Sequence, residues 1–154
     1  MPTVTERLTA AGLSIPVVVP PVAAYVPAVV TGRHVYVSGQ LPMVKGEMIA
    51  AGLVGAEVDV DTAVQCARAS ALNAIAAAAS AVGSVERITR VVKVVGFVAS
   101  APGFTSQPQV INGASELFQL AFGEAGVHAR SAVGVAALPL NAPVEVEAIF
   151  EVAD

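Results

Sequence analysis

The sequence has one cysteine, no tryptophan, two histidines and only 13% charged residues among its 154 positions. A lone Cys66 cannot close an internal disulfide, and it makes no zinc site, which takes three or four donors. No metal site is therefore expected, and the compartment is read as reducing and cytoplasmic. Eight Lys and Arg against twelve Asp and Glu give a net charge of -4. Phosphate binding needs clustered cations, so nucleic acid is not an expected partner. Met1 to Arg7 lacks the apolar core of a signal peptide. Leu8 to Gly32 carries no charge, but Pro16, Pro20, Pro21 and Pro27 interrupt it where a membrane span needs about 20 helical residues. No membrane partner is expected.

What the chain does have is apolar residue, 55% of the total. Soluble domains carry roughly 25% charged residues, and a monomer with about half of that share leaves apolar surface uncovered. Such surface marks a partner site, and another copy of the same chain is the simplest cover.

The pattern predicts a short helix through Ala11 capped by Thr3 or Thr5, then a Pro-rich extended arm ending at residue 21. A hairpin is expected from Tyr25 to Thr31 and His34 to Gln40, turning at Gly32. Leu41 to Val58, with Pro42, Gly46, Gly52 and Gly55, reads as a loop with room for a short strand. Asp59 and Asp61 start a long helix ended by Gly83, with Val60, Val64, Ala67, Ala71, Ile75, Ala78 and Val82 on one stripe. Ile88 to Ser100 has valines at odd and even positions and reads as the central strand, covered on both faces. A second helix is expected over Gln109 to Phe122. Two strands, Ala129 to Ala136 and Val144 to Val152, close the chain. In the last, apolar residues alternate with Glu145, Glu147 and Glu151. The sum is an α+β layer fold, one mixed sheet backed by two helices, with a single domain over 22–154 behind the 1–21 arm.

Arg130 stands out as the one charge between Glu124 and Glu145. A guanidinium keeps its proton on burial and needs an anion. That anion is either Glu145 or Glu147, pinning two strands, or a ligand carboxylate held by paired N–H donors. The three glutamates of the last strand are either a solvated face or contain one carboxyl raised in pKa and fit to move protons. His34 and His128 read as surface residues. Ser38-Gly39-Gln40 is not a G-x-S-x-G nucleophile elbow, and no glycine-rich phosphate loop is present.

Several segments together resemble the RidA/YjgF family. They are Tyr25-Val26-Pro27, Ser38-Gly39-Gln40-Leu41-Pro42, Asn112, Ala129-Arg130-Ser131, Leu138-Pro139 and Val144-Glu145-Val146-Glu147-Ala148-Ile149. The resemblance implies a chorismate-mutase-like fold assembled as a homotrimeric barrel with clefts between subunits. It also implies hydrolysis of reactive 2-imino and enamino acids to 2-oxo acids and ammonia, with no metal or organic cofactor required. Arg130 would clamp the substrate carboxylate and Glu145 would move protons to and from water. Tyr25, Ser38, Gly39 and Asn112 would line the pocket. Ala132 stands where members commonly have cysteine, a place where the backbone carbonyl holds water. The arm and the loop from Met43 to Val58 exceed the compact family pattern. The alternative is a trimer that binds small carboxylates or 2-oxo acids without turnover, and the two differ in whether Glu145 is needed for chemistry. Ribonuclease activity, known for some relatives, ranks last because of the acidic charge.

Overall fold

A computed structural model describes residues 1–18, 20–21 and 23–154. Five strands form one sheet in the order β1 (Ala28–Thr31), β2 (His34–Gln40), β7 (Val144–Val152), β5 (Ile88–Ala99) and β6 (Ala129–Val135). β5 and β6 are parallel and every other neighbouring pair is antiparallel, so the sheet is mixed. Helices α2 (Val60–Val82) and α3 (Gln107–Phe122) cover one face, and α1 (Val4–Ala10) packs on α3. β3 (Met43–Val44) and β4 (Glu47–Met48) make a separate small hairpin inside the loop after β2. Among the described residues no helix is long and apolar enough to cross a membrane.

The long helix begins and ends where its capping chemistry dictates. Asp59 accepts a hydrogen bond from the Thr62 amide at 2.8 Å, and Gly83 closes the helix at φ 92°, in the left-handed region. Its buried face is mostly alanine, including Ala63, Ala67, Ala71, Ala74 and Ala78, so α3 and the sheet approach closely. Gly113 of α3 lies directly against the Val64 carbonyl of α2, with no room for a Cβ. Gly96 of β5 likewise leaves space for Ile111, seating α3 flat on the sheet.

Several expectations need correction. β7, not β5, holds the middle of the sheet. Position follows from which strands pair, and β7 pairs with both β2 and β5 although three of its nine side chains are glutamates. The two faces of β5 also differ: Val91, Val94 and Val98 are fully buried under the helices, whereas Lys93, Val95 and Phe97 are half-buried on the other face. The first hairpin strand starts at Ala28 rather than Tyr25, and α3 starts at Gln107, with Pro108 in its first turn where proline has no amide to waste. The N-terminal segment contributes to the main core, since Val4 and Leu8 of α1 join it. Residue 22, where the domain behind the arm is expected to begin, lies outside the described residues.

The sheet face away from the helices is open. Tyr36, Ile149 and Lys93 share one row of it, with Val29 beside Tyr36. Tyr36 is 47% exposed, Val29 53% and Val133 44%. A shallow hollow of about 280 Å³ runs over this face between Val29, Tyr36, Ser38, Lys93, Glu147 and Ile149.

Candidate active site in two halves

The residues singled out in the sequence fall into two groups on opposite faces of the sheet. Arg130 has Val94 and then Ala148 as its neighbours across the strands, which places it on the helix side. Glu145 has Phe97 and then Val133, on the open side. Arg130 therefore does not pin its strand to Glu145 or Glu147, and that expectation falls. The one ion pair among the described residues is Arg33 with Asp154.

On the helix side, edge strand β6 lies alongside α3. Arg130 donates through Nη1 to the Asn112 Oδ1 at 2.7 Å and to the Ser115 Oγ at 3.2 Å. Asn112 is one turn into α3 rather than at its start, and it reaches the guanidinium because α3 lies along β6. Nε and Nη2 have no hydrogen-bond partner among the described residues. The Nε–Nη2 edge presents two parallel N–H groups, the geometry that matches a carboxylate. Ala132 follows on the same face and is half-buried against the core. His128, expected at the surface, is half-buried: its Nε2 lies 2.9 Å from Ser115 Oγ and its Nδ1 lies 2.6 Å from the Gly126 carbonyl. Ser115 and His128 are the members of this group that sequence reasoning missed. Ser115 had a signal, since it falls among the buried residues Ile111, Ala114, Leu117 and Phe118 of α3, where a hydroxyl must find a partner.

On the open side, Ser38, Gly39 and Glu145 come together. The pairing of β2 with β7 shifts between Val37 and Gln40, and such a bulge re-aims the residues within it. The Ser38 hydroxyl donates to the Val26 carbonyl at 2.7 Å, and the Ser38 amide donates to the Pro27 carbonyl at 2.8 Å. These bonds tie the Tyr25-Val26-Pro27 segment beside β2, with Tyr25 57% exposed. Glu145 folds over Gly39: its carboxyl carbon is 2.7 Å from where a Cβ on Gly39 would be. Burial, with Glu147 two residues along the same face as a second cause, raises the Glu145 pKa above its ordinary 4.5.

Cys66 takes no part in either group. It is fully buried in α2, and burial pushes its thiol up to about 11. A larger hollow of about 430 Å³ between the arm and the end of α2 is lined by Ile15, Pro16, Val85 and small residues, with no titratable side chain among the described residues.

Comparison with known proteins agrees with the fold. The family model described as "YjgF/chorismate mutase-like, putative endoribonuclease" matches residues 5–152. Protein TCP17 of Trypanosoma cruzi is 43% identical over 149 residues, 96% of this chain and 93% of that protein. The crystal structure of Atu1372 from Agrobacterium tumefaciens is 47% identical, with a TM-score of 0.91 over 98% of this chain and 94% of that one. TdcF of E. coli, in a crystal structure with bound serine, is 28% identical, with a TM-score of 0.64 over 87% of this chain and 92% of that one. The α+β architecture and these matches agree: the chain belongs to the YjgF/chorismate mutase-like family.

Proposed function

We propose that the protein hydrolyses reactive 2-imino and enamino acids to 2-oxo acids and ammonia, in clefts formed between the subunits of a homotrimer. The observation that carries the reading is the Arg130 guanidinium, oriented by Asn112 and Ser115 with a two-donor edge left over. A small carboxylate is the chemistry that edge recognises, and the serine held by TdcF is a ligand of that class. Water adds to the imine carbon while Glu145 accepts its proton. Glu145 passes that proton to the imine nitrogen, giving the carbinolamine, then takes the hydroxyl proton and hands it to the amino nitrogen, so that the C–N bond breaks and the 2-oxo acid and ammonia are released. A carboxyl raised in pKa by burial suits both transfers. An imine is already electrophilic, so orientation and one proton shuttle supply most of what is needed.

The trimer reading rests on two observations. Arg130 and Glu145 face opposite sides of one sheet and cannot meet within one chain. The open face that carries Glu145 also exposes Val29, Tyr36 and Val133, which a second copy would cover. The net charge of -4 weighs against a ribonuclease role.

A trimer that binds carboxylates without turnover is the second reading, favoured by the amino acid bound to TdcF. The test is to generate 2-iminobutanoate and 2-iminopropanoate in place with an amino-acid oxidase and trap what remains with semicarbazide. The wild-type protein should accelerate loss of the imine, and Arg130→Ala and Glu145→Gln should not. Absence of acceleration by wild type overturns the deaminase reading. Binding of 2-oxobutanoate that persists in Glu145→Gln would then favour the binding trimer.

A further inference from the structure

The hydrogen bonds behind Arg130 have a fixed direction. The Gly126 carbonyl is purely an acceptor, so the His128 Nδ1 at 2.6 Å from it carries the proton. In the neutral ring Nε2 is then bare and accepts the Ser115 hydroxyl proton across 2.9 Å. With its proton committed, Ser115 Oγ turns a lone pair to Arg130 Nη1 at 3.2 Å. Ser115 is only 8% exposed, so this small chain has little water to replace a lost partner. The ring is held from the side by Phe118, edge to face at 5.8 Å between centroids. Gly126 packs so tightly on the Phe118 carbonyl that no Cβ fits, which fixes the carbonyl that His128 addresses.

We propose that His128 is a positioning residue for carboxylate recognition: through Ser115 it fixes the plane of the Arg130 guanidinium and leaves the Nε–Nη2 edge free for the ligand. The inference rests on the reading of Arg130 as a carboxylate clamp. It adds a condition, that His128 be neutral. A second ring proton would sit on Nε2 against an oxygen already engaged by Arg130, and the Ser115 hydroxyl proton would lose its acceptor. Burial, and after it the Arg130 cation, hold the His128 pKa below its ordinary 6.5, against the opposing pull of the Gly126 carbonyl. The other charged groups on the elements around it point elsewhere. Glu116 of α3 and Glu124 of the turn are exposed, Lys93 is on the opposite sheet face, and Arg7 of α1 lies against Gly123.

The test has a part that does not depend on any ligand. In the unmodified protein, 15N spectra of the His128 ring should report a protonated Nδ1 and a bare Nε2 at neutral pH, with a titration midpoint under 6.5. A proton on Nε2 overturns the proposal. The second part measures the affinity for 2-oxobutanoate at pH 7.5 and 5.5. Wild type should bind more weakly at the lower pH. His128→Phe keeps an aromatic ring against Phe118 but offers no acceptor. It should bind about tenfold more weakly at pH 7.5, raise KM more than it lowers kcat, and lose the difference between the two pH values. His128→Gln, with an acceptor near the Nε2 position, should recover most of the affinity, also without that difference. Wild-type affinity with the wild-type pH difference in His128→Phe overturns the proposal. Arg130→Ala separates the two levels. If it abolishes binding while His128→Phe does not alter it, the positioning role fails alone, and if Arg130→Ala binds normally, the carboxylate clamp fails with it.

Discussion

Glu145 occupies the space that a side chain on Gly39 would take, its carboxyl carbon 2.7 Å and one carboxylate oxygen 3.1 Å from that Cβ position. The glycine is needed for room, since its φ is not in the left-handed region. Gly39→Ala should push the carboxyl off the strand while leaving the sheet paired. We expect imine hydrolysis to fall by roughly one to two orders of magnitude, as a misplaced catalytic group does, with the melting temperature lowered by only a few degrees. Kinetics and a thermal melt on the same sample check this, and unchanged kcat/KM would show that the carboxyl has no role in turnover.

The environment that raises the Glu145 pKa also sets a sign for stability. A carboxyl whose folded pKa lies above its ordinary 4.5 holds its proton longer in the folded chain than in the unfolded one. Stability then falls as pH rises through that interval, and the cost persists at neutral pH. Glu145→Gln removes the charge and should raise the melting temperature at pH 7 by roughly 1–2 °C while abolishing hydrolysis. Below about pH 4 the two proteins should melt together.

Glu86 has the opposite sign. Its carboxylate accepts from the Val4 amide at 3.0 Å, the Thr5 amide at 3.0 Å and the Thr5 hydroxyl at 2.7 Å, so a residue after α2 caps the N-terminus of α1. Slight burial alone would raise its pKa, but the Thr5 and Val4 hydrogen bonds outweigh that and lower it below 4.5. The stabilisation is present above the ordinary carboxylate pKa and is lost as pH falls through the depressed one. Glu86→Gln should cost about 0.5 kcal/mol at pH 7, a cap value reduced for the exposure of the pair. Faster amide exchange confined to α1 is the measurement, and uniform protection would refute the cap.

The sequence made some of this legible and hid the rest for physical reasons. α2 was readable because Asp59 and Gly83 mark its ends chemically. The alternation of β7 gave the common face of Glu145 and Glu147. The facing of Arg130 was not readable, because Ala129, Ser131, Ala132, Val133 and Gly134 offer no contrast between a helix-covered and an open side. The valines of β5 suggested the middle of the sheet, but strand order depends on pairing between distant segments, which composition does not encode. The contact of Ser115 with His128 spans a helix end and a turn, and no periodicity links them. What was visible was a serine in a buried row, a question about its partner without the answer.

The separation of Arg130 and Glu145 makes the intersubunit cleft testable with two inactive proteins. Arg130→Ala keeps an intact Glu145, and Glu145→Gln keeps an intact Arg130. If each cleft takes its arginine from one subunit and its glutamate from the next, mixed trimers contain clefts in which both groups are present. Random assembly from equal amounts makes about a quarter of all clefts complete. Co-expression or co-refolding of the two variants should therefore restore about a quarter of wild-type imine hydrolysis per chain, while mixing them after assembly restores none until subunits exchange. A charge on the open face, as in Tyr36→Asp, should block both assembly and this rescue, read by sedimentation and by the same assay. If every cleft were built within one chain, the mixture would stay as inactive as its parents, and the two faces of the sheet would have to work apart.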